Sequence, residues 1–226
     1  MLQDPLLTPY FRVDGVVATV DAIQGERELR RQRVSLKQVA IADRIVLTKS
    51  DIAAPQAVAR LQSLLANLNR WAPVIMANHG DLEHDWLLSP IDQALERLNW
   101  RSADHQHESH NKGVESFCLW LETPVRWESL QRALARLAEH HGERLLRIKG
   151  LLNIHGQSHP SALHGVNHFL HPPVSVKAWP DEDQRSRIVF ITDQLAESVV
   201  RSFFMDFLPP VAIRNNTEQT PEVLCP

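Results

Sequence analysis

Cysteine is nearly absent: Cys118 and Cys225 are the only two in 226 residues, far apart and with no Cys-x-x-Cys spacing. That excludes a disulfide framework and fits a reducing compartment. No apolar run approaches the ~20 residues that span a bilayer, and the amino terminus MLQDPLLTPYFRVDG has no basic-then-apolar leader. The expected location is the cytoplasm, with no membrane partner. Charge of one sign is also missing. Against 24 Lys and Arg stand 27 Asp and Glu, a formal net charge of −3, which gives no reason to expect nucleic acid. The most informative absence is a phosphate-binding loop, because no Gly-x-x-x-x-Gly-Lys-Ser/Thr occurs anywhere.

What is present divides into two rhythms. In the first, short apolar runs alternate with helical patterns. Val16–Val20 and Arg44–Leu47 read as buried strands and Pro73–Ala77 as a third, apolar one, with Glu26–Ile41, Pro55–Leu68 and Pro90–Leu98 as helices. Such alternation predicts a parallel sheet, with ligand sites at the carboxyl ends of its strands. A polar stretch at 101–114 reads as a linker. Beyond it, Ser116–Leu121, Leu146–Leu152, segments within 164–179 and Arg187–Ile191 read as strands. A helix following Thr123-Pro124 carries Trp127, Leu130, Leu134 and Leu137 on one side and stops at Gly142. A closing helix over Thr192–Phe204 is expected to turn Leu195, Val199 and Phe203 inward. The expected fold is therefore α/β in residues 1–100 and a small, mostly antiparallel α+β domain at 115–207, with a disordered tail over 208–226.

One segment carries specific chemistry. The apolar run Arg44-Ile45-Val46-Leu47 ends abruptly in Thr48-Lys49-Ser50-Asp51, at a strand's carboxyl end. An ionised Asp51 can accept hydrogen bonds from both N1–H and the 2-amino group of guanine. Adenine has neither donor and would leave the carboxylate desolvated and unpaired. Lys49 can lay its methylene stem on the base with its ammonium in water. Asn78 and His79, at the end of the next strand, could offer backbone N–H groups to the guanine O6. The plain alternative for both loops is an ordinary polar connection between strand and helix. Asp21 ends the first strand and could support the nucleotide loops, without an assignable contact.

With these residues in view, the chain resembles the CobW-like family of metallochaperone GTPases. The similarity runs from about Asp14 to Phe204. Its carriers are Asp14-Gly15-Val16-Val17-Ala18-Thr19-Val20-Asp21-Ala22, Ala42 to Asp51, Leu145-Leu146-Arg147-Ile148-Lys149-Gly150, and the strand Arg187–Ile191. The resemblance implies the carboxyl-terminal half of a P-loop GTPase sheet followed by a CobW carboxyl-terminal domain. It also implies zinc or cobalt as cargo, a client metalloprotein as recipient, and Mg²⁺ accompanying GTP in the intact protein. The family's phosphate loop, Cys-x-Cys-Cys metal motif and Mg²⁺-serving switch segment have no counterpart here. The sequence reading therefore expects an amino-terminally incomplete GTPase. A misplaced start, a broken gene and a split protein are its three explanations. Such a chain is expected to bind GTP weakly or not at all and to be catalytically inactive alone, with apolar surface and a sheet edge exposed in residues 1–100.

Histidine is abundant, with 12 copies. Asp104-His105-Gln106-His107-Glu108-Ser109-His110 places three imidazoles and two carboxylates within seven residues, a donor set suited to Zn²⁺. His105, His107 and His110 are thus the candidate metal ligands, a solvated linker being the alternative. His140 and His141 read as cations at a helix end. Arg147 and Lys149 alternate with Leu146 and Ile148, so they are expected on a solvated or partner-docking strand face. The functional expectation is a GTP-dependent metal chaperone. The alternative is a non-enzymatic client-docking or metal-binding module without nucleotide.

Overall fold

The computed structural model describes residue 10 and residues 15–89, 113–167 and 169–208. The expected helix at Pro90–Leu98, the linker with His105, His107 and His110, and the tail beyond 208 lie outside the described residues.

The first unit follows the alternating pattern. Strands β1 (Val17–Asp21), β2 (Arg44–Thr48) and β3 (Val74–Ala77) form a parallel sheet in that order. Pairing of Ala18 with Ile45 and of Val20 with Leu47 puts these four side chains on one buried face. Helix α3 (Pro55–Leu68) covers it with Leu61, Leu65 and Leu68, all essentially inaccessible. Val17 on β1, and Val74 and Met76 on β3, are exposed on the two outer strands.

The single helix expected over Glu26–Ile41 is two. It breaks at Gln32, whose ψ of 116° is extended, into α1 (Gly25–Arg31) and α2 (Arg33–Ile41). The break has a packing reason. Helix α1 lies against α3, while α2 runs onto the second unit's sheet, and one straight rod could not follow both surfaces. Buried Asn69 donates its side-chain amide to the carbonyls of Val39, Ala40 and Ala42, satisfying the end of α2 just before β2 begins. A short helix α4 (His84–Leu88) follows β3, and Arg44 reaches its far end through Ser89.

The second unit is an antiparallel sheet in the order β4 (Val114–Leu121), β9 (Ser186–Asp193), β5 (Leu145–Leu152), β6 (Ser161–Val166) and β7 (Phe169–Leu170). The two-residue strand β8 (Val174–Ser175) pairs with β6. Helices α5 (Trp127–His141) and α6 (Glu197–Met205) cover one face through Leu130, Leu134, Leu137, Val200 and Phe204. The closing helix thus starts later than its sequence pattern indicates. Leu195 is buried as expected and Phe203 is half-buried against the same core, but Val200 and Phe204 take the innermost positions and Val199 is 37% exposed.

The other face of this sheet is covered by the first unit. Leu36, Val39, Leu65, Leu68 and Trp71 belong to one core cluster with Cys118, Trp120, Leu146, Leu151, Val189 and Ile191. That overturns the solvated face expected for Arg147 and Lys149. Both are buried, and both point at Asp43, whose side chain is 2% exposed. The period-2 pattern placed them on one face correctly, but that face is interior. A reciprocal arrangement lies elsewhere on the seam, where Asp193 at the end of β9 pairs with Arg33 and Lys37 of α2. Each unit therefore sets one carboxylate against two cations of the other.

Candidate functional site

The carboxyl ends of β1, β2 and β3 converge, and loops from all three meet there. Asp21 pairs with Thr48 in the parallel register, and Thr48 with Ala77. Ala22 N–H donates to the Thr48 carbonyl at 2.9 Å, extending the ladder one residue beyond β1. The Thr48 hydroxyl donates to the Val20 carbonyl at 3.3 Å. A threonine at this position thus ties its loop to the neighbouring strand through a hydroxyl, as its short side chain permits.

Lys49 leaves β2 with φ of +59°, a left-handed conformation uncommon for a side-chain-bearing residue. Its ammonium lies 2.5 Å from Asp21 Oδ2. The other oxygen of Asp21 accepts N–H bonds from Ile23 at 2.7 Å and Gln24 at 3.2 Å, closing a turn around its own side chain. Gly25 follows immediately. A Cβ there would sit 2.6 Å from a Val20 methyl, so only glycine lets α1 start this close behind β1. The electrostatics agree with the geometry. The bond from Lys49 holds the Asp21 carboxyl below its ordinary range, against a smaller opposing effect of burial. The same bond raises the Lys49 ammonium above its ordinary value.

Ser50 and Asp51 complete the loop. The Ser50 hydroxyl donates to Asn78 Oδ1 at 3.0 Å, joining this loop to the one after β3. Asp51 Oδ2 lies 3.7 Å from His79 Nε2, a contact that is ionic only when the imidazole is protonated. Asp51 keeps 34% of its side-chain surface open and His79 92%, so the carboxylate is reachable from solvent. His79 and Gly80 both have positive φ, at 53° and 79°, which bends the third loop sharply beside the second.

Thr48, Lys49, Asp51 and Asn78 are therefore brought together, as the strand-end reading expected. The candidate metal ligands His105, His107 and His110 fall outside the described residues. Among the described residues, no group of three or more His, Cys, Asp or Glu is arranged to hold a metal ion, and no helix is long and apolar enough to cross a membrane. Asp21 stands in the sequence reading as a candidate support for these loops with no contact assigned, and Ser50 escapes it. For the contact of Asp21, an acid closing one parallel strand beside a lysine just past the next was the available signal. Ser50 offered none, because a serine between Lys and Asp is indistinguishable from any loop serine.

Comparison with known proteins places both units. Residues 1–76 match the family model described as CobW/HypB/UreG, nucleotide-binding domain, and residues 114–208 match the cobalamin synthesis protein cobW C-terminal domain. Zinc chaperone YjiA of Escherichia coli is 31% identical over 201 residues, covering 88% of this chain and 62% of YjiA. Zinc chaperone CobW of Pseudomonas aeruginosa is 29% identical over 168 residues, 72% of this chain and 44% of that protein. A crystal structure of a Zn(II)-bound triple mutant of the YjiA GTPase superposes with a TM-score of 0.70 at 29% identity, covering 91% of this chain and 64% of its own. The chain spans less than two thirds of the length of these relatives.

Proposed function

The chain belongs to the CobW family, with a CobW/HypB/UreG-type nucleotide-binding domain and a CobW carboxyl-terminal domain, and on that premise we propose that it is the guanine-reading and carboxyl-terminal portion of a GTP-dependent zinc chaperone. The observation that carries this reading is the convergence of Thr48, Lys49, Asp51 and Asn78 at the ends of three parallel strands. Asp51 accepts from N1–H and the 2-amino group of guanine, and the stem of Lys49 covers the base. Thr48 fixes the loop to β1 through the Val20 carbonyl, and Ser50 fixes it to Asn78. The backbone N–H groups of the sharply bent Asn78–Gly80 loop face the guanine O6. None of this requires rearrangement of the loops, so the recognition is preorganised.

The chain's ligands on this reading are GTP and a divalent metal, with Zn²⁺ as cargo captured by His105, His107 and His110 and passed to a client metalloprotein in the cytoplasm. Mg²⁺ would accompany GTP in the intact protein. Hydrolysis belongs to the same proposal for the intact protein and is assigned to no residue of this chain. The alternative is a non-enzymatic client-docking or metal-binding module without nucleotide; the core that the two units share speaks only against a carboxyl-terminal domain acting by itself.

Titration of the isotope-labelled full chain with GDP and, separately, ADP tests the guanine assignment by NMR, which reads millimolar affinities directly. GDP is expected to shift the resonances of Thr48 to Asp51 while ADP leaves them in place. Asp51→Asn should lose GDP and gain xanthosine diphosphate, because the amide can donate to the 2-oxo group of xanthine. Equal responses to GDP and ADP, or an Asp51→Asn protein that binds GDP like wild type, would sink the assignment.

A further inference from the structure

Lys49 has little reason of its own to stay where a base would need it. Its side chain is 55% exposed, and a four-carbon stem on an exposed loop samples many rotamers, each costing freedom when a ligand fixes it. One group on the neighbouring strand restricts it. Asp21 holds the ammonium with Oδ2, and Asp21 is itself immobilised, since Oδ1 closes the turn onto Ile23 and Gln24. Gly25, where any Cβ would meet a Val20 methyl, starts α1 directly behind that turn. The carboxylate also offsets the lysine's charge, so the ammonium need not seek another anion.

We infer that Asp21 is a positioning residue for nucleotide recognition. It anchors the Lys49 ammonium so that the lysine stem is held as a platform for the guanine face before the nucleotide arrives. Asp21 does not touch the base. It acts through Lys49, and its two oxygens divide the work between the turn and the cation. This inference rests on the guanine reading above and adds a residue to it.

The division of labour makes the test selective. Asp21→Asn keeps an Oδ1 acceptor for the Ile23 and Gln24 N–H groups but removes the charge that holds Lys49, so the fold should survive. Two readouts on the full chain decide the matter. The first is the GDP dissociation constant from NMR titration, expected to weaken by roughly tenfold in Asp21→Asn, the scale of one charge-assisted contact. The second is the rate at which an amine-reactive probe labels Lys49, followed by mass spectrometry. It should rise in Asp21→Asn at pH 8 to 9 and return towards wild type in Asp21→Glu, a rescue that a purely structural role would not produce. Wild-type protein that binds GDP, with Asp21→Asn binding it equally well, overturns the positioning role alone. A wild-type chain that does not distinguish GDP from ADP overturns the guanine reading and this role with it. Unchanged Lys49 labelling in Asp21→Asn overturns the anchoring itself, whatever the nucleotide result.

Discussion

Asp43 and Lys149, from opposite halves of the chain, meet at 3.1 Å with side chains only 2% and 4% exposed. Arg147 lies on the same carboxylate oxygen, 104 positions away in sequence, and the second oxygen accepts the Val16 N–H at 3.0 Å. Asp43 therefore joins the start of β1, the start of β2 and the sheet of the second unit at a single point. The same strand β2 ends in the loop Thr48–Asp51 proposed to read the base, so the second unit helps fix the strand that presents it.

Removing the two sides of this cluster is expected to have unequal effects. Asp43→Ala leaves two cations buried without their carboxylate and should destabilise by about 3–5 kcal/mol. Lys149→Met removes a desolvated ammonium but leaves Asp43 paired with Arg147, so its effect should be small, within about 1 kcal/mol of wild type in either direction. Urea denaturation of the two variants measures both, and comparable losses would contradict the asymmetry.

The acid limb of the stability profile should be steep. Burial pushes the Asp43 carboxyl up, but Lys149, Arg147 and the Val16 N–H together outweigh it and hold it below the ordinary range. Burial likewise raises Asp193, and Lys37 and Arg33 overcome it. A depressed carboxyl means the unfolded chain binds protons first as pH falls. This stability is therefore fully present above about pH 4 and lost below it. Urea midpoints measured between pH 6 and pH 3 should drop sharply at the low end, and less sharply in Asp43→Asn.

Lys149 contributes with the opposite trend at high pH. Burial pushes its ammonium down to about 8 despite the pull of Asp43. Between that value and the ~10.4 of an unfolded lysine, the unfolded chain holds the proton that the folded chain has released. Stability from this group should therefore rise with pH across that window. Comparing the pH dependence of wild type and Lys149→Met from pH 7.5 to 10 isolates the contribution, which should be missing in the variant.

Residues 114–208 excised from the chain are not expected to form a well-packed monomer. Cys118, Trp120, Leu146, Leu151, Val189 and Ile191 would face water on the sheet surface that the first unit covers, together with Arg147 and Lys149. Strong binding of a hydrophobic dye and a broad melt, or oligomers by light scattering, are the expected outcomes. A sharp two-state melt of a monomer would show that the shared core is dispensable.

Zinc capture by the linker should depend on His105, His107 and His110. Competition with a fluorescent chelator is expected to report loose Zn²⁺ binding by the full chain, and its loss when all three are changed to Ala. Retention of binding in the triple variant would move the metal elsewhere.

The sequence alone determined the local facts. Each strand of the first unit announces itself by a short apolar run, although only β2 is buried along its length, and the Thr48–Asp51 loop by four residues in a row, because both signals fit inside one segment. The helix pattern gave α3 and the apolar side of α5, but it merged α1 with α2, began α6 five residues early and took Val199 rather than Val200 as inward. Periodicity near a helix end cannot separate Val199 from Val200 as the inward position. Only the tertiary structure decided what covers each face. Alternation puts Arg147 and Lys149 on one side of β5, yet whether that side meets water or protein depends on Asp43 and on the packing of α2, more than a hundred positions away. Asp21 became meaningful for the same reason, since its partner Lys49 lies in the loop just past another strand, 28 positions along the chain. Burial and charge pairing are properties of surfaces brought together by the whole chain, and no window of local sequence contains them.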